Sequence, residues 1–157
     1  MSRAQTAARG AVLSVAAEPV EPVGWAEEVV GRIRPAFWSR SYLGEVAARV
    51  DQVAMMTYDS TLHSERLYGG LTARELRVAL DVVPAAVDLL AGLPAYHDST
   101  FGHDPDAETV DAAIRAARLA LSEHLDRERL GVAVYADFSS TVDEWTVYRE
   151  RWFAPES

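Results

Sequence analysis

Short apolar runs recur along the chain and alternate with longer segments in which apolar residues return at helical spacing. The runs are apolar at successive rather than alternate positions, which is typical of strands buried on both faces of a parallel sheet. The intervals between them exceed the dozen or so residues that a crossover between parallel strands needs. The pattern therefore predicts four parallel strands. They are residues 11–17 (AVLSVAA), 52–58 (QVAMMTY), 87–95 (VDLLAGLPA) and 131–136 (GVAVYA).

Helix-start signals lie in the intervals between these runs. Thr72 and Thr141 each stand three residues before a glutamate, the spacing of a capping box, and apolar residues follow at helical intervals. Asp104 and Pro105 offer an N-cap and a proline at the first helical position. A shorter helix is expected over 42–50. The predicted order is therefore β-α-β-α-β-α-β-α, which is four βα units.

The alternation of strands and helices defines an α/β fold, and two architectures satisfy it. A glycine-rich fingerprint after a strand would favour an open doubly wound sheet, and none is present. A complete (β/α)8 barrel needs about 250 residues, so four units correspond to half of one. We expect a single domain over 1–157 that forms the C-terminal half of a TIM barrel. Residues 3–9 resemble the last turns of a helix that Gly10 ends, so we expect a longer chain upstream.

Composition narrows the function classes. The absence of cysteine excludes disulfides, thiolate metal sites and cysteine nucleophiles, and because all fifteen basic residues are Arg, lysine Schiff-base chemistry is excluded too. A net charge of −9 repels phosphate backbones, so we expect no nucleic-acid partner. No apolar run approaches the ~20 residues of a membrane span, so we expect no membrane partner. The run at 11–17 is short for a signal peptide and fits a buried strand better, which leaves the compartment undetermined.

Acidic and aromatic residues gather where the predicted strands end. Because ligands of parallel α/β folds meet the carboxyl ends of the strands, these side chains are expected to form one ligand site. Aromatic rings stack on the apolar faces of sugars, and carboxylates accept hydrogen bonds from sugar hydroxyls, so the mixture indicates a carbohydrate partner. The candidate residues are Glu18, Tyr58, Asp59, Tyr96, His97, Asp98, Tyr135 and Asp137. For Asp137, a role as a loop anchor is an equal alternative.

Several segments resemble a known family. Residues 42–59 (YLGEVAARVDQVAMMTYD) resemble the helix and sixth strand of glycoside hydrolase family 18, the chitinase-like hydrolases, which carry a Met-x-Tyr-Asp signature there. Residues 89–96 (LLAGLPAY) are similar to the family's seventh strand, which reads Gly-hydrophobic-Pro followed by an aromatic residue. By the same resemblance, 131–135 corresponds to the eighth strand and 11–17 to the fifth. The resemblance covers nearly the whole chain and is sharpest at 50–59.

The resemblance implies a retaining glycosidase in which the 2-acetamido oxygen of the sugar attacks the anomeric carbon. Tyr58 would hydrogen-bond that acetamido group, and Asp59 would contact the same sugar. The family's general acid, a glutamate that closes Asp-x-x-Asp-x-Asp-x-Glu, is missing from this sequence. The nearest acidic run, 104–108 (DPDAE), falls at a predicted helix start, so we expect this chain alone to be inactive. Tyr135 stands where many members carry a tryptophan beneath the sugar, a departure from the pattern for N-acetyl sugars.

Other interpretations fit the same pattern. A non-catalytic sugar-binding module and a structural α/β domain are both compatible with it. His63, His97 and His103 suggest a metal site with nearby aspartates, but they lack helical spacing or a second ligand pair, so no metal and no cofactor are predicted. A half-barrel leaves sheet edges and one sheet face uncovered. The expected protein partners are therefore a missing N-terminal half-barrel or a second copy of the chain.

Overall fold

A computed structural model of the chain describes residues 10–20, 37–99 and 102–154. The strands are β1 (Ser14–Ala17), β2 (Gln52–Met55), β3 (Asp88–Pro94) and β4 (Leu130–Tyr135). The helices are α1 (Arg40–Ala47), α2 (Glu65–Val82), α3 (Val110–Ser122) and α4 (Val142–Tyr148). A 3₁₀ turn, Asp137–Ser139, precedes α4, and a π-helical turn, Arg149–Phe153, follows it. The predicted α/β fold is confirmed, since the four strands are parallel and lie in the order β1-β2-β3-β4. The helix end predicted at 3–9 lies outside the described residues.

The described helices pack against one face of the sheet. Strand residues on this face form the core together with apolar residues of α1, α2 and α3. Full burial of an aliphatic side chain of this kind contributes about 1.5–3 kcal/mol. The buried strand members of the core are Ala17, Val53, Met55, Leu89, Ala91 and Leu93, and the largest buried helix members are Leu43, Tyr68, Leu76 and Ile114.

Alternate strand residues point to the opposite face of the sheet. There, Ala16, Ala54, Leu90 and Gly131 are partners in register across the four strands. All four are exposed or half-buried, whereas residues of the two central strands on the helix-covered face, such as Val53 and Leu89, are fully buried. The carboxyl end of this second face carries the site described below. Among the described residues, no helix is long and apolar enough to cross a bilayer.

Helix α2 begins earlier than the capping-box spacing predicted. Thr72 and Glu75 lie in the interior of the helix and are almost fully buried. The helix extends two further turns towards its N-terminus, where Ser64 stands at the N-cap position. This extension buries Tyr68, one helical turn before Thr72, against the core formed by α3 and β3. Burial of that face, rather than the local spacing, sets the start of the helix.

Helix α3 begins later than Asp104 and Pro105 predicted. The Thr109 side chain caps it by accepting a hydrogen bond from the backbone N–H of Ala112. Asp104 instead closes a separate turn, in which its backbone carbonyl accepts hydrogen bonds from the N–H groups of Ala107 and Glu108. The chain therefore reaches α3 through a turn that places Glu108 just ahead of the helix.

The other two helix predictions agree more closely with the structure. The capping box at Thr141 is confirmed, since its hydroxyl accepts from the N–H of Glu144 and the Glu144 carboxylate accepts from the N–H of Thr141. The short helix expected over 42–50 is present as α1, which starts two residues earlier. Its N-cap is Ser39, whose side chain accepts a hydrogen bond from the N–H of Tyr42.

Candidate functional site

An open cavity of about 530 Å³ lies at the carboxyl ends of the strands. Six of the eight residues predicted from strand ends line it, since the parallel strands bring their last residues to one edge of the sheet. These six are Glu18, Tyr58, Asp59, Tyr96, Asp98 and Tyr135. Met56, Ala136, Phe138 and Ser139 complete the described lining.

The other two predicted residues lie elsewhere. His97 lines a second cavity between the starts of α3 and α4, where its Nε2 is 3.2 Å from the Oε1 of Glu144. It is the next residue after Tyr96, and successive side chains in extended chain point to opposite sides. Asp137 is exposed and starts the 3₁₀ turn, in which its backbone carbonyl accepts from the N–H of Ser140. Neither residue is among the described lining of the first cavity.

Three tyrosines form an aromatic cluster on one wall of the cavity. The rings of Tyr58 and Tyr135 stack almost in parallel, with centroids 5.1 Å apart and an interplanar angle of 7°. Tyr96 meets both rings edge-on, at centroid distances of 6.0 and 5.7 Å. Tyr58 is buried over Gly92, whereas Tyr135 is 52% exposed. The ring of Tyr135 therefore packs on the buried ring of Tyr58, and its exposed part can contact a ligand.

Asp59 and Tyr96 are joined by a hydrogen bond in which the tyrosine hydroxyl donates to Asp59 Oδ1. Burial, together with this bond to a carboxylate, raises the pKa of Tyr96 well above its usual range. Tyr96 therefore stays a neutral donor at physiological pH. The Asp59 side chain is 48% exposed, so the carboxylate can meet a ligand while Tyr96 holds one of its oxygens.

Glu108 is the residue of this site that the sequence interpretation missed. Its side chain is fully buried, and it is the acceptor for the loop that follows β2. Oε2 accepts from the N–H of Asp59 at 2.7 Å, and Oε1 accepts from both the N–H and the hydroxyl of Ser60 at 2.8 Å. In the sequence, Glu108 belongs to an acidic run ahead of a helix, where carboxylates usually complement the helix dipole. No local pattern separates it from the other acidic residues of the run, of which Asp104 is half-buried and Asp106 is exposed.

His103 lies beside Glu108 and is also fully buried. Its Nδ1 is 3.0 Å from Glu108 Oε2, and its Nε2 is 3.1 Å from the backbone carbonyl oxygen of Tyr96. The imidazole also stacks on the Tyr96 ring, with centroids 3.9 Å apart. His103 therefore links the loop after β3 to the carboxylate that holds the loop after β2.

The loop after β2 adopts an uncommon backbone conformation. Asp59 and Thr61 have φ values of +58° and +64°, in the left-handed region that few residues other than glycine enter. Aspartate tolerates this region, whereas a β-branched threonine is costly there. The N–H of Thr61 donates to the carbonyl of Gly102 at 2.8 Å, and Glu108 binds the two preceding N–H groups. These bonds offset the backbone cost and set the direction of the Asp59 side chain.

The histidines considered as metal ligands from the sequence do not form one candidate ligand set among the described residues. His63 pairs with Asp104 at 2.7 Å. A different set could hold an ion, since one ligand atom from each of Asp59, His103 and Glu108 lies within 4.8 Å of the others. Both oxygens of Glu108 already accept hydrogen bonds, so the buried carboxyl group has its polar atoms satisfied by protein donors.

The fold and the cavity define an α/β protein with an aromatic and acidic site at the carboxyl edge of a parallel sheet. Comparison with known proteins finds no match to a protein-family model, a curated protein or a solved structure.

Proposed function

We propose that this chain is a carbohydrate-binding protein built as the C-terminal half of a (β/α)8 barrel similar to glycoside hydrolase family 18. The observation that carries the proposal is the stacked pair Tyr58–Tyr135 beside Asp59, in a cavity open to a ligand. The exposed Tyr135 ring is suited to the apolar face of a sugar. Asp59 is suited to the sugar's hydroxyl or amide donors.

The barrel architecture is supported by the topology of the sheet. In an open doubly wound fold, the strand order reverses at a switch point and helices cover both faces. Here the parallel strands follow one another in chain order, and the described helices pack on one face. A barrel is built in this way, with helices outside and the opposite face turned to the interior. Tyr58, Gly92 and Tyr135 would then lie inside the barrel mouth.

The charge of the cavity narrows the class of sugar. Glu18, Asp59 and Asp98 line it, and no basic side chain is present among the described lining residues. Clefts lined by one sign of charge attract ligands of the opposite sign and repel those of the same sign. The proposed ligand is therefore a neutral oligosaccharide, such as an N-acetylated one, rather than a uronic acid polymer.

Replacing Tyr135 with alanine is expected to weaken binding of a chito-oligosaccharide about five- to tenfold, since it removes the exposed ring of the stack. The measurement is isothermal titration calorimetry. Tyr42→Ala is the matched control, because Tyr42 is 51% exposed and lies on α1, outside the cavity lining. Equal affinities of the two variants would contradict the proposed sugar site. Mass spectrometry of the wild-type samples is expected to show no cleavage, and products that disappear with Asp59→Ala would show an active glycosidase.

The isolated chain is expected to self-associate. Among the described strands, β1 and β4 each have a neighbour on one side only, and exposed parallel edges favour pairing with another sheet. A second copy would complete the barrel in place of an N-terminal half. Light scattering coupled to gel filtration is expected to give a dimer or a larger species. A monodisperse monomer would instead favour the structural α/β domain.

A further inference from the structure

The buried pair formed by Glu108 and His103 is held by hydrogen bonds to the loops after β2 and β3. The carbonyl of Tyr96 can only accept, so His103 Nε2 must carry the proton of that bond. Two backbone N–H groups and the Ser60 hydroxyl donate to the Glu108 oxygens. His103 Nδ1 lies 3.0 Å from Glu108 Oε2, so the pair connects the two loops.

The surroundings of His103 hold its ring in place beside Glu108. Asp59 Oδ1 lies 3.9 Å from Nδ1. The Tyr96 ring stacks on the imidazole, with ring centroids 3.9 Å apart. Among the described residues, the groups that face His103 are thus two carboxylates, one carbonyl and one aromatic ring.

The pair acts on the ligand site through the loop after β2. Glu108 binds the N–H groups of Asp59 and Ser60, where the chain enters its left-handed turn. The turn directs the Asp59 carboxylate into the cavity, where Tyr96 donates to Oδ1. No described residue donates to Oδ2, which can then accept from a donor on the ligand. Without the pair, the bond between Thr61 and Gly102 and the bond from the Tyr96 hydroxyl would be the described bonds left to hold Asp59 in a conformation that costs backbone energy.

We infer that the buried pair of Glu108 and His103 positions Asp59, and that Asp59 thereby selects ligands carrying a hydroxyl or amide donor. The ligand part of this inference rests on the proposed sugar site. Glu108 and His103 are positioning residues, since neither is among the described residues that line the first cavity.

The test compares Glu108→Gln with Glu144→Gln. The first variant keeps the shape of the side chain but turns an NH₂ group towards a donor. The second changes the exposed His97–Glu144 pair, in which glutamine still completes the capping box. Chito-oligosaccharide affinity is expected to fall roughly tenfold or more in Glu108→Gln and to stay within twofold of wild type in Glu144→Gln.

Nuclear magnetic resonance of the histidine rings supplies a readout that does not depend on sugar. The ring nitrogen signals of His103 are expected to shift in Glu108→Gln, because Nδ1 then faces an amide instead of a carboxyl group, and to stay in place in Glu144→Gln. The backbone amide signals of Asp59 and Ser60 are expected to shift in Glu108→Gln and to stay in place in Glu144→Gln. If Glu108→Gln does not fold, Ser60→Ala removes a single donor to Glu108. Its expected effect is a two- to fivefold loss of affinity.

The outcomes separate the two proposals. A wild-type protein that binds no sugar overturns the proposed function, while the ring and amide signals still decide whether the pair positions Asp59. Unchanged affinity and unchanged Asp59 signals in Glu108→Gln would overturn the positioning role. A stoichiometric divalent cation found by elemental analysis of the wild-type protein would replace the hydrogen-bonded pair with a metal site.

Discussion

Replacing Glu108 with alanine is expected to lower the free energy of unfolding by about 3–5 kcal/mol, because each buried donor left without an acceptor costs about 1–3 kcal/mol. The substitution removes the hydrogen-bond partner of His103 Nδ1. It also removes the acceptor for the N–H groups of Asp59 and Ser60. The measurement is urea unfolding followed by circular dichroism.

The matched control is Glu123→Ala. Glu123 forms two hydrogen bonds of 2.7 Å with Arg77, a closer geometry than the contact between Glu108 and His103, but it lies on the surface. Exposed ion pairs contribute little, because water and salt screen them. A much smaller loss is therefore expected than for Glu108→Ala. Similar losses in both variants would show that burial does not increase the contribution of the Glu108–His103 pair to the free energy of unfolding.

Gly92→Ala is expected to cost about 1–3 kcal/mol of stability and to abolish the aromatic stack of the cavity. A Cβ atom at this position would lie 2.7 Å from the backbone oxygen of Met55 and 2.9 Å from Cε1 of Tyr58. The first contact is with backbone, so β2 would have to move away from β3. The second would push the Tyr58 ring off its support and separate it from Tyr135.

Gly70→Ala provides the control for this substitution. Nothing lies within 4 Å of a Cβ atom at Gly70, which is inside α2. Alanine is the better helix former, so this variant is expected to gain up to about 1 kcal/mol. Thermal unfolding measures both variants, and near-ultraviolet circular dichroism reports the tyrosine cluster. A Gly92→Ala protein with wild-type stability and an unchanged tyrosine spectrum would contradict the close packing of Tyr58 on β3.

The predictions for Gly92 and Gly70 show what a local sequence pattern identifies and what depends on tertiary packing. The run 87–95 identifies β3 because its apolar residues are continuous. The same run contains Gly92, but nothing local shows that the glycine is needed for the approach of Tyr58, which is contributed by the loop after another strand. The pattern therefore identifies the strand and leaves the reason for the glycine to the packing.

The starts of the helices also depend partly on local sequence and partly on tertiary packing. The capping box at Thr141 is present because both of its partners belong to one turn of α4. The identical spacing at Thr72 is inside α2, because burial of Tyr68 against α3 and β3 extends the helix upstream. A capping signal is decisive only where tertiary packing does not favour a longer helix.

The sequence by itself determined the parallel α/β order and the meeting of Glu18, Tyr58, Asp59, Tyr96, Asp98 and Tyr135 at one edge. Both follow from local features, since continuous apolar runs predict buried strands and the carboxyl ends of parallel strands converge.

Only the tertiary structure decided how the Asp59 loop is held. Glu108 is 49 residues from Asp59 along the chain, and it reaches the loop because α3 packs beside α2 and β3. His103 joins them through the turn before α3. No residue pattern within one segment encodes a contact between segments so far apart. Glu108 and His103 form a pair because the fold buries both side chains at the same place.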